Sequence, residues 1–304
     1  MFETDRTKWD PNRVLYKYLD AEGALKTIDG CSVKCTSPYA FNDPYDTTTE
    51  LRLGFDIADL PDIIAKQIED FVFSDAPQTI EAPTDLGLAI LSLRKIGPGL
   101  VKGLRLDSSA PSVAAVLNDM IQQLESDKKS WRDFLRTWRI FCLSKRNDNL
   151  LLWAHYADSH RGVVIGFKCV PEEDSCFCVA EPVRYLSEIP VMATPAEWFR
   201  DVTGIQQIDI PSRLLDLTLA KSDEWKYEEE FRYVLPALNP VSNPNYDIRA
   251  ISPSEVHSVY FGCRIDSLVR SKLMDKLKGN YPHVRIFQAK QSTERFGLDF
   301  DLIE

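Results

Sequence analysis

The chain has 304 residues, 44% of them hydrophobic and 11% aromatic, enough to bury a sizeable core in one large domain or one domain with an insertion. A net charge of −10 speaks against a broad electrostatic footprint on nucleic acid, while leaving room for a local basic groove. No apolar run reaches the length needed to cross a bilayer, and the polar start Met1-Phe2-Glu3-Thr4-Asp5-Arg6 lacks a signal-peptide layout, so a cytoplasmic protein is expected.

In chain order, Val14–Leu19 reads as a first strand, and Asp20 caps a short helix over Ala21–Ile28 that Asp29-Gly30 closes. Val33–Thr36 reads as a second strand, followed by the turn-rich Ser37–Asp46. Leu60–Phe73 and Val113–Arg139 carry apolar residues at helical spacing, separated by a stretch richer in Pro, Gly and Ser. Residues 55–135 are therefore expected to form a mainly helical insertion or cap within a single α+β domain spanning 1–304. Denser alternation follows: strands at Ile140–Ser144, Gly162–Lys168 and Phe177–Leu186, a helical turn or two at Leu150–Ala157, and mainly helix over Pro195–Lys221. Strands at Glu229–Leu235, Ser258–Gly262 and Val284–Gln288 complete the pattern, with a helix at Leu268–Leu277. Short strands with helices at intervals, and no regular βαβ rhythm, predict a mixed or antiparallel sheet. There is no GxGxxG or GxxxxGK[ST] loop, so neither a Rossmann dinucleotide site nor a P-loop is indicated.

The seven cysteines form no CxxC, and Cys176-x-Cys178 has no second pair to complete a metal site. Reduced, buried thiols are expected, and no structural zinc.

Four constellations carry chemical potential. Tyr16-Lys17-Tyr18 puts two tyrosines on one strand face and a lysine on the other. Phe41-Asn42-Asp43-Pro44-Tyr45-Asp46 is either a well-made turn or a polar loop presenting Asn42 and Asp43 to a ligand. Phe141–Tyr156 runs from a strand ending in Ser144, through a basic-polar loop, into a short helix where Asn149, Trp153 and Tyr156 fall near one face. Finally, if Trp225–Leu235 is extended, Glu228, Glu230 and Arg232 line one face of it. Burying such charges unpaired is expensive, so this face is either a structural ion-pair ladder or a site.

Taken together and in this order, Tyr16-Lys17-Tyr18, Phe41–Asp46, Trp153-Ala154-His155-Tyr156-Ala157 with Gly162 and Gly166-Phe167, and Trp225-x-x-Glu228-x-Glu230-x-Arg232 resemble the bacterial family known as domain of unknown function 2971. A more distant similarity is to the ADP-ribosyltransferases, whose small split sheet grips NAD through a first-strand Arg or His, a later strand bearing Ser or Tyr, and a Glu or Glu-x-Glu opening a further strand. The resemblance implies a split, mixed or antiparallel β-sheet with the helical insertion added. It implies Glu230 as catalytic carboxylate, Glu228 assisting the acceptor, Ser144 supporting the NAD-contacting strand, and Tyr156 or Trp153 stacking on nicotinamide. The first-strand role stays open between Arg13, Tyr16 and Lys17. Ser144 stands without the usual Ser-Thr-Ser. Tyr18, Asn42, Asp43 and Arg232 complete the expected NAD-binding set, with Arg232 on a carboxylate or a pyrophosphate.

On this reading NAD is a substrate, no metal is required, and the activity is ADP-ribosyl transfer or NAD hydrolysis, in a bacterial toxin or antiphage effector with a possible neutralising partner. The acceptor stays open between protein, nucleic acid, small molecule and water. Two other readings use the same residues: a Mg²⁺-dependent phosphodiesterase or nuclease with Asp43, Asp46, Glu228 and Glu230 as ligands, and a non-catalytic sensing or binding module with a structural Glu/Arg ladder.

Overall fold

A computed structural model describes residues 10, 12–47, 50–74, 84–96, 99, 102–103, 105–106, 110–173 and 175–303. In chain order the first elements are β1 (Val14–Leu19), α1 (Ala21–Gly30), β2 (Ser32–Thr36), α2 (Leu60–Phe73), α3 (Asp85–Ile96) and α4 (Pro111–Arg136). Then come β3 (Trp138–Ser144), α5 (Leu150–His155), β4 (Val163–Lys168), β5 (Glu181–Pro182), β6 (Arg184–Leu186), α6 (Pro195–Val202) and α7 (Ile210–Thr218). The remainder is β7 (Ala220–Ser222), β8 (Glu230–Pro236), β9 (Tyr246–Ala250), β10 (Val256–Phe261), α8 (Ser267–Asn280), β11 (Arg285–Gln291) and β12 (Leu298–Leu302). The fold is α+β with a mostly antiparallel sheet.

The chain divides into two compact units. The first comprises residues 1–47, 135–187 and 219–304, and holds every strand found among the described residues. Its sheet runs β12-β11-β10-β4-β1-β3-β2-β9, with β8 and β5 joined to β3 in turn. The uncharged run Val163–Phe167 becomes the buried centre, flanked by β1 and β10. Its residues alternate between two cores, as a strand requires. Val163, Ile165 and Phe167 pack with Ala24, Ile28, Leu273 and Leu277 from α1 and α8, while Val164 packs with Leu152 and Trp153 of α5. Helix α1 starts where expected: Asp20 accepts from the Gly23 amide at 2.6 Å, and Cys31 closes the helix in the left-handed region.

The sheet forks at β3. One edge of β3 pairs with β8 along its whole length, from Trp138 opposite Pro236 to Ser144 opposite Glu230. The other edge is shared by β1 and β2, each through a single bridge: Tyr16 opposite Ser144, and Thr36 opposite Ile140. Between those bridges the Cys142 carbonyl takes its hydrogen bond from the Lys17 ammonium at 2.8 Å instead of from a neighbouring strand.

The second unit comprises 48–134 and 188–218 and is helical among its described residues. Leu60, Ile64 and Ile68 recur every fourth residue along α2 and pack with Ile90, Leu124, Trp198 and Phe199. Helix α6 opens with a reciprocal capping box between Thr194 and Glu197. The stretch expected as an insertion falls in this unit, which also takes in 188–218.

Several expectations are corrected. Phe177–Leu186 is not one strand: a 3-10 turn over Cys176–Val179 precedes the short β5 and β6, because the chain changes partner, the Val183 amide bonding the Glu230 carbonyl at 2.9 Å and the Arg184 amide the Leu219 carbonyl at 2.7 Å. Strands β9 and β12 were not anticipated, since they are short, charge-bearing edge strands without an apolar run. The cysteines are not all reduced: Cys169 and Cys178 form a disulfide, because the 3-10 turn brings their Cα atoms within 4.7 Å. No helix among the described residues is long and apolar enough to cross a membrane.

One glycine locks the start of β4. A Cβ on Gly162 would lie 2.1 Å from the Leu19 carbonyl oxygen and 3.0 Å from the Ala157 backbone, neither of which can swing away. Gly162→Ala is expected to destabilise the protein near the top of the roughly 1–3 kcal/mol range for overpacking, read as a lower urea midpoint at unchanged slope.

Candidate functional site

The strand expected over Glu229–Leu235 begins one residue later. Asp223–Glu228 is a 3-10 helix capped by Ser222, and Glu229 stands in the left-handed region with φ 44° and ψ 50°. Glu230 and Arg232 therefore share a face of β8 as the period of two requires, but Glu228 reaches that face from the 3-10 helix through the reversal at Glu229. The Ser144 hydroxyl pins this corner by donating to the Glu228 carbonyl at 2.6 Å, and the Tyr185 hydroxyl accepts from the Glu230 amide at 2.7 Å.

Five charges meet here. Glu230 takes Arg232 Nε on Oε1 at 2.8 Å and Arg232 Nη2 on Oε2 at 3.1 Å, a two-point clamp. Its Oε2 also accepts from Lys221 Nζ at 3.0 Å. Lys221 reaches Glu228 Oε2 at 2.5 Å and Asp46 Oδ2 at 3.6 Å, while Arg232 Nη2 bonds Asp46 Oδ2 at 2.7 Å. All five groups are buried, and three carboxylates face two cations. The other Asp46 oxygen, Oδ1, is buried with no hydrogen-bond partner. Phe41 and Trp225 add rings beside Arg232 and Lys221, at 5.6 and 5.0 Å.

The two glutamates differ in proton affinity. Burial works against ionising Glu230, but the Arg232 and Lys221 charges outweigh it and hold its carboxyl well below the usual range. Glu228 moves the other way: burial raises it, Lys221 only partly offsets that, and the neighbouring Glu230 charge adds to the rise. Burial also raises Asp46. For Lys221, burial opposes the charge, yet Glu230, Glu228 and Asp46 together lift its affinity above the usual lysine value. The Tyr156 hydroxyl donates to Glu228 Oε1 at 2.9 Å and is held protonated by burial and by that carboxylate.

Four of the five groups, Asp46, Lys221, Glu228 and Glu230, form the floor of a cavity of about 470 Å³ that opens at the fork of the sheet. Of the residues singled out in the sequence, Tyr16, Lys17, Tyr18, Asn42, Asp46, Ser144, Tyr156, Glu228 and Glu230 line it. Burial, with the hydrogen-bonded Tyr260 beside it, pushes the Tyr16 phenol up to about 12. Arg13, Asp43, Asn149, Trp153 and Arg232 do not line it. Arg232 lies behind Glu230, fully buried. Asp43 closes its own turn through the Tyr45 amide at 2.9 Å. Trp153 is a core residue, edge-on to Tyr18 and stacked on His160, with its indole N–H donated to the Asn147 carbonyl at 2.8 Å. Lys221 and Tyr185 are the residues that sequence reasoning missed. Lys221 sits on β7, whose partner β6 lies far away in sequence, and its one visible signal was a lysine within an otherwise apolar stretch shortly before three glutamates.

The comparisons bear on this site in part. Residues 152–233 match a family described as Protein of unknown function (DUF2971). No curated protein and no solved structure matches the chain. The DUF2971 segment runs from α5 into β8, and so carries Tyr156, Lys221, Glu228, Glu230 and Arg232. Asp46, Tyr16, Lys17, Asn42 and Ser144 complete the cavity from outside it.

The opposite shifts of the two glutamates give opposite stability effects. Glu230 lies below its ordinary 4.5 in the fold, so its contribution is full above that pH and is lost as pH falls through the lower folded value. Glu228 lies above 4.5, so its ionisation lowers stability as pH rises from 4.5 through the folded value. At pH 7, Glu230→Gln is expected to cost about 1–3 kcal/mol, because it removes the carboxylate that both cations share and leaves Arg232 on Asp46 and Lys221 on Glu228 alone. Glu228→Gln is expected to leave stability unchanged or raised. Urea denaturation of both variants against pH measures the contrast.

Proposed function

We propose that the cavity binds NAD and that the protein cleaves its nicotinamide–ribose bond, transferring the ADP-ribosyl group to an acceptor or to water. The observation that carries the reading is the pair of adjacent carboxylates with opposed proton affinities on the floor of a cavity at a fork in the sheet. In this reaction the C1′–N bond breaks, its electron pair leaves with neutral nicotinamide, and positive charge develops on the ribose. A floor with more carboxylates than cations, closed to solvent, favours that charge.

The geometry redistributes the expected roles. Glu230 is saturated by Arg232 and Lys221 and is a poor base, so its task is to hold the two cations in place. Glu228, with the higher proton affinity, is the better acceptor for the proton of the attacking group. Tyr156 orients it, and Tyr16 offers a ring face to the planar parts of the ligand, while the Tyr18 hydroxyl braces the wall by donating to the Arg146 carbonyl at 2.8 Å. Lys17 holds the fork open by occupying the Cys142 carbonyl.

The test is nicotinamide release from NAD by the purified protein, alone and with cell lysate as a source of acceptor, in the presence of EDTA. Wild type is expected to turn NAD over despite the chelator. Glu228→Gln should lower that rate by about 10²-fold or more while still binding NAD. Full turnover in Glu228→Gln would overturn the reading, as would failure of wild type to bind or consume NAD with lysate present. Turnover abolished by EDTA would favour the metal-dependent reading instead.

A further inference from the structure

A second cavity, of about 380 Å³, lies in the same unit between the β11–β12 hairpin and the segment linking α5 to β4. Its wall includes His160, Arg264, Ser292, Arg295 and Phe296. None of these residues belongs to the candidate site above.

The construction of this wall is specific. Asp158, Ser159 and His160 occupy the left-handed region in succession, with φ of 45°, 53° and 69°. Consecutive non-glycine residues in that region are unfavourable, so the surrounding structure must impose them. The Asp158 carboxylate is bonded twice by Arg161, at 2.7 and 3.0 Å, and the His160 carbonyl accepts the Arg264 amide at 3.0 Å. Gly262 makes that approach possible, since a Cβ there would lie 2.1 Å from the His160 carbonyl oxygen. The Arg264 backbone is thus anchored, while its exposed guanidinium has no partner among the described residues.

The hairpin supplies the opposite side. Ser292 and Gly297 close its tip, and Arg295 folds back to bond the Leu298 carbonyl at 3.2 Å and Asp299 at 2.6 Å. Gly297 leaves the space that this arginine fills, for a Cβ there would lie 1.9 Å from Arg295 Nη1. Phe296 stands at the rim with its side chain wholly in solvent, at 103% relative exposure. A single exposed phenyl ring is ordinary. One that lines the same cavity as an exposed guanidinium with no partner among the described residues offers a stacking face and an anion hook to one ligand.

We propose that this cavity is a second ligand site, for a nucleoside monophosphate: Arg264 takes the phosphate, Ser292 supplies a hydroxyl donor, and Phe296 stacks on the base. The assignment does not depend on NAD cleavage at the first cavity. Both variants used to test it alter exposed side chains that support no core packing.

Titration calorimetry with AMP, adenosine and inorganic phosphate tests it on the intact protein. AMP is expected to bind saturably, and Arg264→Ala to weaken it about 10-fold or more, the loss of one charge-assisted contact. Phe296→Ala should weaken AMP while leaving phosphate binding as it was, and adenosine should bind more weakly than AMP. Weakening by both Arg264→Ala and Phe296→Ala, neither of which lines the first cavity, places the bound AMP here. Absence of saturable AMP binding would overturn the proposal, as would AMP binding that neither Arg264→Ala nor Phe296→Ala weakens.

Discussion

The clamp of Arg232 and Lys221 on Glu230 is the interaction on which the candidate site depends. Each of these groups is costly to remove from water alone, and each is retained because the others supply its counter-charge. The clamp joins separate parts of the chain: β8 carries Glu230 and Arg232, the short β7 carries Lys221, and Asp46 arrives from the turn after β2. A well-packed apolar cluster could join the same elements at no greater cost. That charges are used instead, at the floor of a cavity, is what points to chemistry.

Two glutamates a residue apart acquire different properties because only one is surrounded. Glu230 begins a strand and points at two cations; Glu228 ends a 3-10 helix and meets one cation and a phenol. The left-handed residue between them makes this possible. Without it Glu228 would continue the strand, and its distance from Lys221 and Tyr156 would follow the strand's pleat rather than the fork's geometry.

Helix α5 links the two cavities. Leu152 and Tyr156 line the first and Leu150 the second, while Trp153 stands between Tyr18, on the first wall, and His160, on the second. The tryptophan singled out as a stacking surface is instead the packed core beneath both. This is the usual use of a large buried ring whose one polar atom has found a carbonyl.

Much of the scaffold was legible in the amino-acid order. Val14–Leu19 and Val163–Lys168 announce themselves by apolar, β-branched runs, Asp20 by its capping position, and Leu60–Phe73 by its helical period, because these signals are local. Glu228, Glu230 and the tyrosines of β1 were also visible, as residue types too costly or too specific to ignore. The edge strands β9 and β12, the Cys169–Cys178 bond and the partnership of Lys221 were not, since each depends on a partner distant in sequence or on a backbone reversal. By itself the sequence determined the apolar central strands, the amphipathic helices and which side chains can carry charge. Tertiary structure alone decided which carboxylate is saturated and which is left basic, because proton affinity is set by burial and by charges a few ångströms away, and those distances exist only in the fold.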